Sequence, residues 1–178
     1  MRSRSRSWLL GVLGIVVLSA ATCSTGPTGD DDRNAAVYAE VVRWLLTAEV
    51  GSTDSDVPAF EPEDERPVFI EPIGPDGIDL EVQVGVIDRL QDLAVVRFVD
   101  TRDEALDMSE PHVPVRDEGV LIALGVITDD LPTVVRGERY LDNTDIAAFR
   151  FTMQSRAGDW EVFGEPEPVE PESLTVTP

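Results

Sequence analysis

The sequence predicts an α+β domain in which an N-terminal amphipathic helix packs on a mostly antiparallel sheet of four to six strands. Three observations carry that expectation. Apolar residues recur at helical spacing from about residue 34 to residue 50, alternating segments crowd the C-terminal half, and short turns join those segments so that sequential strands become neighbours. The chain has 178 residues, enough for one such domain after its leading segment.

Residues 1–22 read as a signal peptide. Arg2, Arg4 and Arg6 form a cationic start, no acid precedes Asp30, and the apolar run Trp8 to Leu18 is broken only by Gly11 and Gly14. A spanning helix needs about 20 apolar residues, so this run fits a cleaved signal better than a permanent anchor. The arginines are separated, which leaves a twin-arginine route unsupported. Ser19-Ala20-Ala21 offers a small-x-small cleavage site, whereas Ala20-Ala21-Thr22-Cys23 resembles the lipobox of bacterial lipoproteins. The lipobox resemblance implies lipidation of Cys23 and a place on the outer face of the cell membrane, with plain secretion as the alternative. Cys23 is the single cysteine, so no intrachain disulfide can form. Residues 23–33 then make a polar spacer rich in Gly, Thr and Asp.

The domain is expected over residues 34–163. Asp32 or Asn34 can cap a helix reaching about Val50, with Val37, Val41, Trp44, Leu45 and Ala48 on one face. Residues 51–67 combine turn formers with acids and read as a surface loop. Val68 to Ile70 is a short strand. Residues 78–86 allow two readings. Ile78, Leu80, Val82, Val84 and Val86 alternate as a strand would, yet Val82, Val86, Leu90 and Leu93 suit a second helix over 79–91. Val95 to Asp100 reads as a strand with Val96 and Phe98 on one side and Arg97 on the other, and Val120 to Leu124 as a buried strand. Val134 to Leu141 and Ile146 to Gln154 alternate, the latter placing Ala147, Phe149, Phe151 and Met153 on one face. Ala157-Gly158 turns the chain into Trp160 to Phe163, a hairpin partner. Residues 164–178 form an acidic, Pro-rich tail expected to be disordered.

Several of these pieces recur together elsewhere. Ala35 to Arg43, Val96 to Asp100, Gly119 to Gly125 and Arg150-Phe151 with Gly158 to Val162 resemble the blocks of small exported proteins and lipoproteins of uncharacterised function from high-GC Gram-positive bacteria. The resemblance implies that the second block is helical. Relatives can carry a cysteine pair near the strand that here holds Tyr140 to Thr144, and this chain has none there. The closing strand, Gly turn and Trp160-Glu161-Val162 also resemble the end of nuclear transport factor 2-like domains, which implies a small-ligand pocket under the sheet.

Charge and motifs mostly exclude. The chain holds 35 acids and 14 basic residues, all arginine, for a formal charge of −21; removing the signal takes it to −24. Such a field repels nucleic acid and anionic lipid. His112 is the only histidine and lies in the loop sequence Glu110-Pro111-His112-Val113-Pro114, with no Gly-x-Ser-x-Gly elbow to serve. One histidine and one cysteine cannot build a zinc site, and without lysine a P-loop fails, so no metal or cofactor site is expected. Asp76 to Glu81 and Asp142 to Asp145 could offer oxygen ligands but lack the spacing of a calcium loop and read as turns. Trp44 and Trp160 could line a cleft, and their periodic positions read as core. The expectation is a membrane-tethered, non-enzymatic binding module for an envelope protein or small ligand. The alternatives are a carboxylate-dependent hydrolase of envelope polymers, marked by two buried acids facing a cleft, and a nuclear transport factor 2-like pocket protein.

Overall fold

The computed structural model describes residues 29–48 and 66–172, and the expected signal, Cys23 and the loop at 51–65 lie outside them. The first helix, α1 (Gly29–Thr47), begins inside the expected spacer, with Asp30, Asp31 and Asp32 in the first turn where the helix dipole favours negative charge. It does not carry the single apolar stripe expected of it. Ala35, Val37, Tyr38, Ala39, Val41, Val42, Leu45 and Leu46 are all buried, because α1 meets the sheet on one flank and a second helix on the next.

That second helix, α2 (Leu80–Leu90), settles the ambiguity at 78–86. It connects β1 (Pro67–Pro72) to β2 (Val95–Phe98), and the two strands pair in parallel, Val68 beside Val96 and Ile70 beside Phe98. A parallel pair needs a crossover, and the helix supplies it. β1 also pairs in parallel with β3 (Val120–Leu124), after which β4 (Thr133–Asp142), β5 (Asp145–Arg156) and β6 (Asp159–Val162) continue antiparallel. The spatial order is β2-β1-β3-β4-β5-β6, so the sheet is mixed and corrects the mostly antiparallel expectation. β1 and β3 are central and covered on both sides, and Val68 to Ile70 and Val120 to Leu124 are accordingly buried throughout.

A seventh strand, β7 (Glu167–Pro168), overturns the expectation of a disordered tail as far as Glu172. β5 is long, and β6 covers its outer edge only from Met153 to Arg156; β7 continues along the same edge beside Phe149 and Arg150. An uncovered strand edge invites pairing, and here the chain pairs its own.

Two apolar layers flank the sheet. Between sheet and helices lie Val37, Val41, Leu45, Ile70, Val86, Ile122, Phe151 and Met153 among others, with Trp44 edge-on to Phe149 and Phe151 at centroid distances of 5.1 and 5.2 Å. On the opposite face, Phe69, Leu121 and Tyr140 are covered by Ala105, Leu106 and Val115 from the long β2–β3 connection. Tyr140 fastens that connection by donating its hydroxyl to the Val113 carbonyl at 2.8 Å. Close packing demands glycine at two contacts with α1. A Cβ at Gly85 would sit 2.7 Å from Ala35 Cβ where the helices meet, and one at Gly137 would sit 2.8 Å from Val41 Cγ1 where α1 meets β4.

Candidate functional site

A cleft of about 530 Å³ opens over the solvent-facing side of α1, between the β5–β6 turn and Arg89 of α2. The turn places its far wall. Ala157 and Gly158 both adopt positive φ, 57° and 100°, which closes a tight hairpin and swings Trp160 towards α1. Arg33, one turn into α1, donates to Asp129 Oδ1 at 3.0 Å and to the Thr128 carbonyl and Thr133 Oγ1, each at 3.2 Å, and its guanidinium lies 5.5 Å from the Trp160 ring centre. Arg89 bonds Asp32 at 2.6 Å, and Arg43 donates to the Arg89 carbonyl at 3.0 Å. Glu40 completes the lining; burial pushes its carboxyl up, Arg43 opposes that rise, and Glu161 adds to it. The cleft is therefore a mosaic of both signs on a floor of small residues, Ala36 and Ala39. Its arginines already have acids or carbonyls as partners, so a ligand must offer comparable hydrogen bonds to displace them.

On the opposite face, one row across the sheet reads Glu71, Ala123, Glu138, Ala148 on β1, β3, β4 and β5. Two buried carboxylates thus stand two strand spacings apart, about 10 Å at Cα. Glu71 accepts from Arg102, at 3.1 Å from Nε and also from Nη2. Glu138, only 1 % exposed, accepts from Arg136 Nε at 2.7 Å and from the Glu172 backbone N–H at 3.0 Å. Both acids are held by arginine, and the described tail lies across the second of them. Sequence reading could not single them out among 35 acids, although Glu71 follows the apolar run Val68-Phe69-Ile70 directly.

The residues singled out from sequence are not brought together. Cys23 lies outside the described residues. His112 is exposed in its loop, where its carbonyl accepts from the Asn143 N–H at 3.0 Å. Asp142 spends one carboxylate oxygen on the turn itself, accepting from Thr144 N–H and Oγ1 at 2.7 Å each and from Asp145 N–H at 3.0 Å. Burial pushes the Asp142 carboxyl up, but those bonds outweigh it and hold it below its usual range. Among the described residues no group of three or more His, Cys, Asp or Glu is arranged to hold a metal ion, and no helix is long and apolar enough to cross a membrane. Trp44 sits in the core and Trp160 on the cleft wall, so one of the two tryptophans is placed to meet a ligand. Trp44, Phe149 and Phe151 pack against one another between α1 and the sheet.

No protein-family model matches this chain, and neither a curated protein nor a solved structure matches it.

Proposed function

We propose that this protein is a lipoprotein held on the outer face of the cell membrane by acylated Cys23, and that its domain is a non-enzymatic module that binds an envelope protein or a polar small ligand. The observation that carries the binding reading is the open, charge-lined cleft beside Trp160, set against the buried carboxylates Glu71, Glu138 and Asp145, each paired with an arginine. A hydrolase of the two-carboxylate kind needs one acid free to donate a proton and a second free to attack or to activate water. Glu71 and Glu138 are committed to holding the sheet face together instead.

The tether supports the same reading. α1 begins six residues after Cys23, a length of chain that reaches at most about 20 Å, so the cleft beside its first turns would stand close to the membrane surface. Mass spectrometry of the mature N-terminus should find diacylglycerol on Cys23, and Cys23→Ser should release the protein to the medium. A mature chain starting at unmodified Thr22 overturns the lipid anchor.

A further inference from the structure

Helix α2 has two apolar sides, and the fold uses only one. Val82, Val86 and Leu90 are buried, whereas Leu80, Val84 and Ile87 face outward at 68 %, 50 % and 39 % exposure. Single exposed apolar residues are ordinary; a row of them along one helix is a property of the surface. The spacing of four and then three residues is that of a seam made to receive another helix, the alternation of d and a positions in a heptad. Glu81 and Asp88 each follow a d-type residue, Leu80 and Ile87, and so stand at the flanking positions whose charge selects the partner. Both acids are exposed. On the other flank Gln83 is turned back to donate to the Ile78 carbonyl at 2.7 Å and Leu90 is buried, so the charge bordering the seam is negative.

We propose that the outer face of α2 docks a basic amphipathic helix of a partner protein, whose apolar side covers Leu80, Val84 and Ile87 and whose lysines or arginines meet Glu81 and Asp88. Charge complementarity decides between this occupant and the others. A second copy, paired through the same face in antiparallel fashion, would set Glu81 and Asp88 against their own equivalents, on top of the repulsion between two chains of −21 each. An anionic bilayer meets the same obstacle. A cationic helix gains at both steps, steered by the long-range field and then held by the apolar row.

The surface can be tested on the Cys23→Ser chain with a synthetic 18-residue amphipathic peptide of leucine and lysine as probe, followed by fluorescence anisotropy and amide chemical-shift mapping. Saturable binding with shifts centred on residues 80–91 is expected, and Val84→Glu should weaken it at least tenfold while leaving the circular dichroism unchanged. Glu81→Lys with Asp88→Lys should exchange the preference, so that a leucine–glutamate peptide binds about tenfold better than the leucine–lysine one. Glu110→Lys with Glu165→Lys, the same change of charge placed elsewhere, should leave the preference alone. Shifts spread over the whole acidic surface, or an equal response to both charge swaps, overturn the proposal. Concentration-dependent dimerisation abolished by Val84→Glu overturns it in favour of a second copy, and equal binding to phosphatidylglycerol vesicles with no peptide preference overturns it in favour of lipid.

Discussion

At the scale of single residues, burial decides which polar groups respond to pH. Tyr38 lies under the β3–β4 connection and donates its hydroxyl to the Gly125 carbonyl at 3.0 Å, and burial pushes its pKa from 10 up to about 12. Because the fold holds the neutral phenol, the contribution of Tyr38 to stability is complete below pH 10, where the unfolded side chain would ionise, and is lost as pH rises towards 12. Urea unfolding between pH 8 and 12 should therefore show stability falling with a slope of up to about 1.4 kcal/mol per pH unit. Tyr38→Phe should cost about 1 kcal/mol at pH 8, by leaving the Gly125 carbonyl without its donor, and should remove most of the alkaline slope. Tyr140, the other tyrosine, which burial and the nearby Asp142 charge also raise, contributes to the slope that remains. An unchanged slope in the Phe variant would rule out Tyr38 as its source. Little of this was legible beforehand, since nothing local to Tyr38 in the sequence says that a carbonyl 87 residues away will meet its hydroxyl.

At the scale of elements, legibility follows how many neighbours an element has. β5 reads correctly because one side faces the helices, and Phe149, Phe151 and Met153 then alternate against Arg150 and Thr152. α1 reads as a helix, but its apolar arc is wider than one stripe because α2 packs beside it, which no pattern within residues 34–50 announces. α2 was ambiguous for a related reason: Leu80 and Val84 on its outer side interleave with Val82 and Val86 on its inner side and counterfeit the period of a strand. The close fit of α1 to the sheet can be tested at Gly137. A methyl there would lie 2.8 Å from Val41 Cγ1, 3.0 Å from Leu45 Cδ1 and 3.1 Å from Phe151 Cε2, all tighter than contact. Overpacking of this kind costs about 1–3 kcal/mol, against the roughly 0.5–1 kcal/mol that alanine gains over glycine in a strand. Gly137→Ala should thus lower the urea midpoint without changing the slope of the transition, and an unaltered midpoint would show that α1 can yield.

At the scale of the whole molecule, two sequence expectations failed together, the mostly antiparallel sheet and the disordered tail, because both depend on which strand lies beside which. The parallel pairing of β1 with β3 and the antiparallel pairing of β3 with β4 bring Glu71 and Glu138 into one row, and the tail then closes that row from outside. Composition alone assigns Glu165 to Glu172 to solvent, since acids and prolines bury little apolar surface. What holds them is the sheet: Val169 N–H donates to the Ala148 carbonyl at 3.0 Å, Arg150 pairs with Glu167 at 2.9 Å, Arg136 reaches the Glu170 carbonyl, and Glu172 N–H caps Glu138 at 3.0 Å. Charge and contact make opposite predictions for a chain ended at Gly164. Deletion removes four acids from a molecule of −21, which relieves self-repulsion and should raise the melting temperature if the tail is merely solvated. If the tail is docked, deletion uncovers the edge of β5 at Phe149 and Arg150 and strips Glu138 of a donor, and with each such hydrogen bond worth about 0.5–1.5 kcal/mol the loss should reach about 2 kcal/mol. We expect the melting temperature to fall and the truncated chain to associate more readily through the opened edge. Replacing residues 165–172 by a Gly/Ser stretch of equal length should not restore it, whereas a rise in melting temperature on truncation would return the tail to solvent.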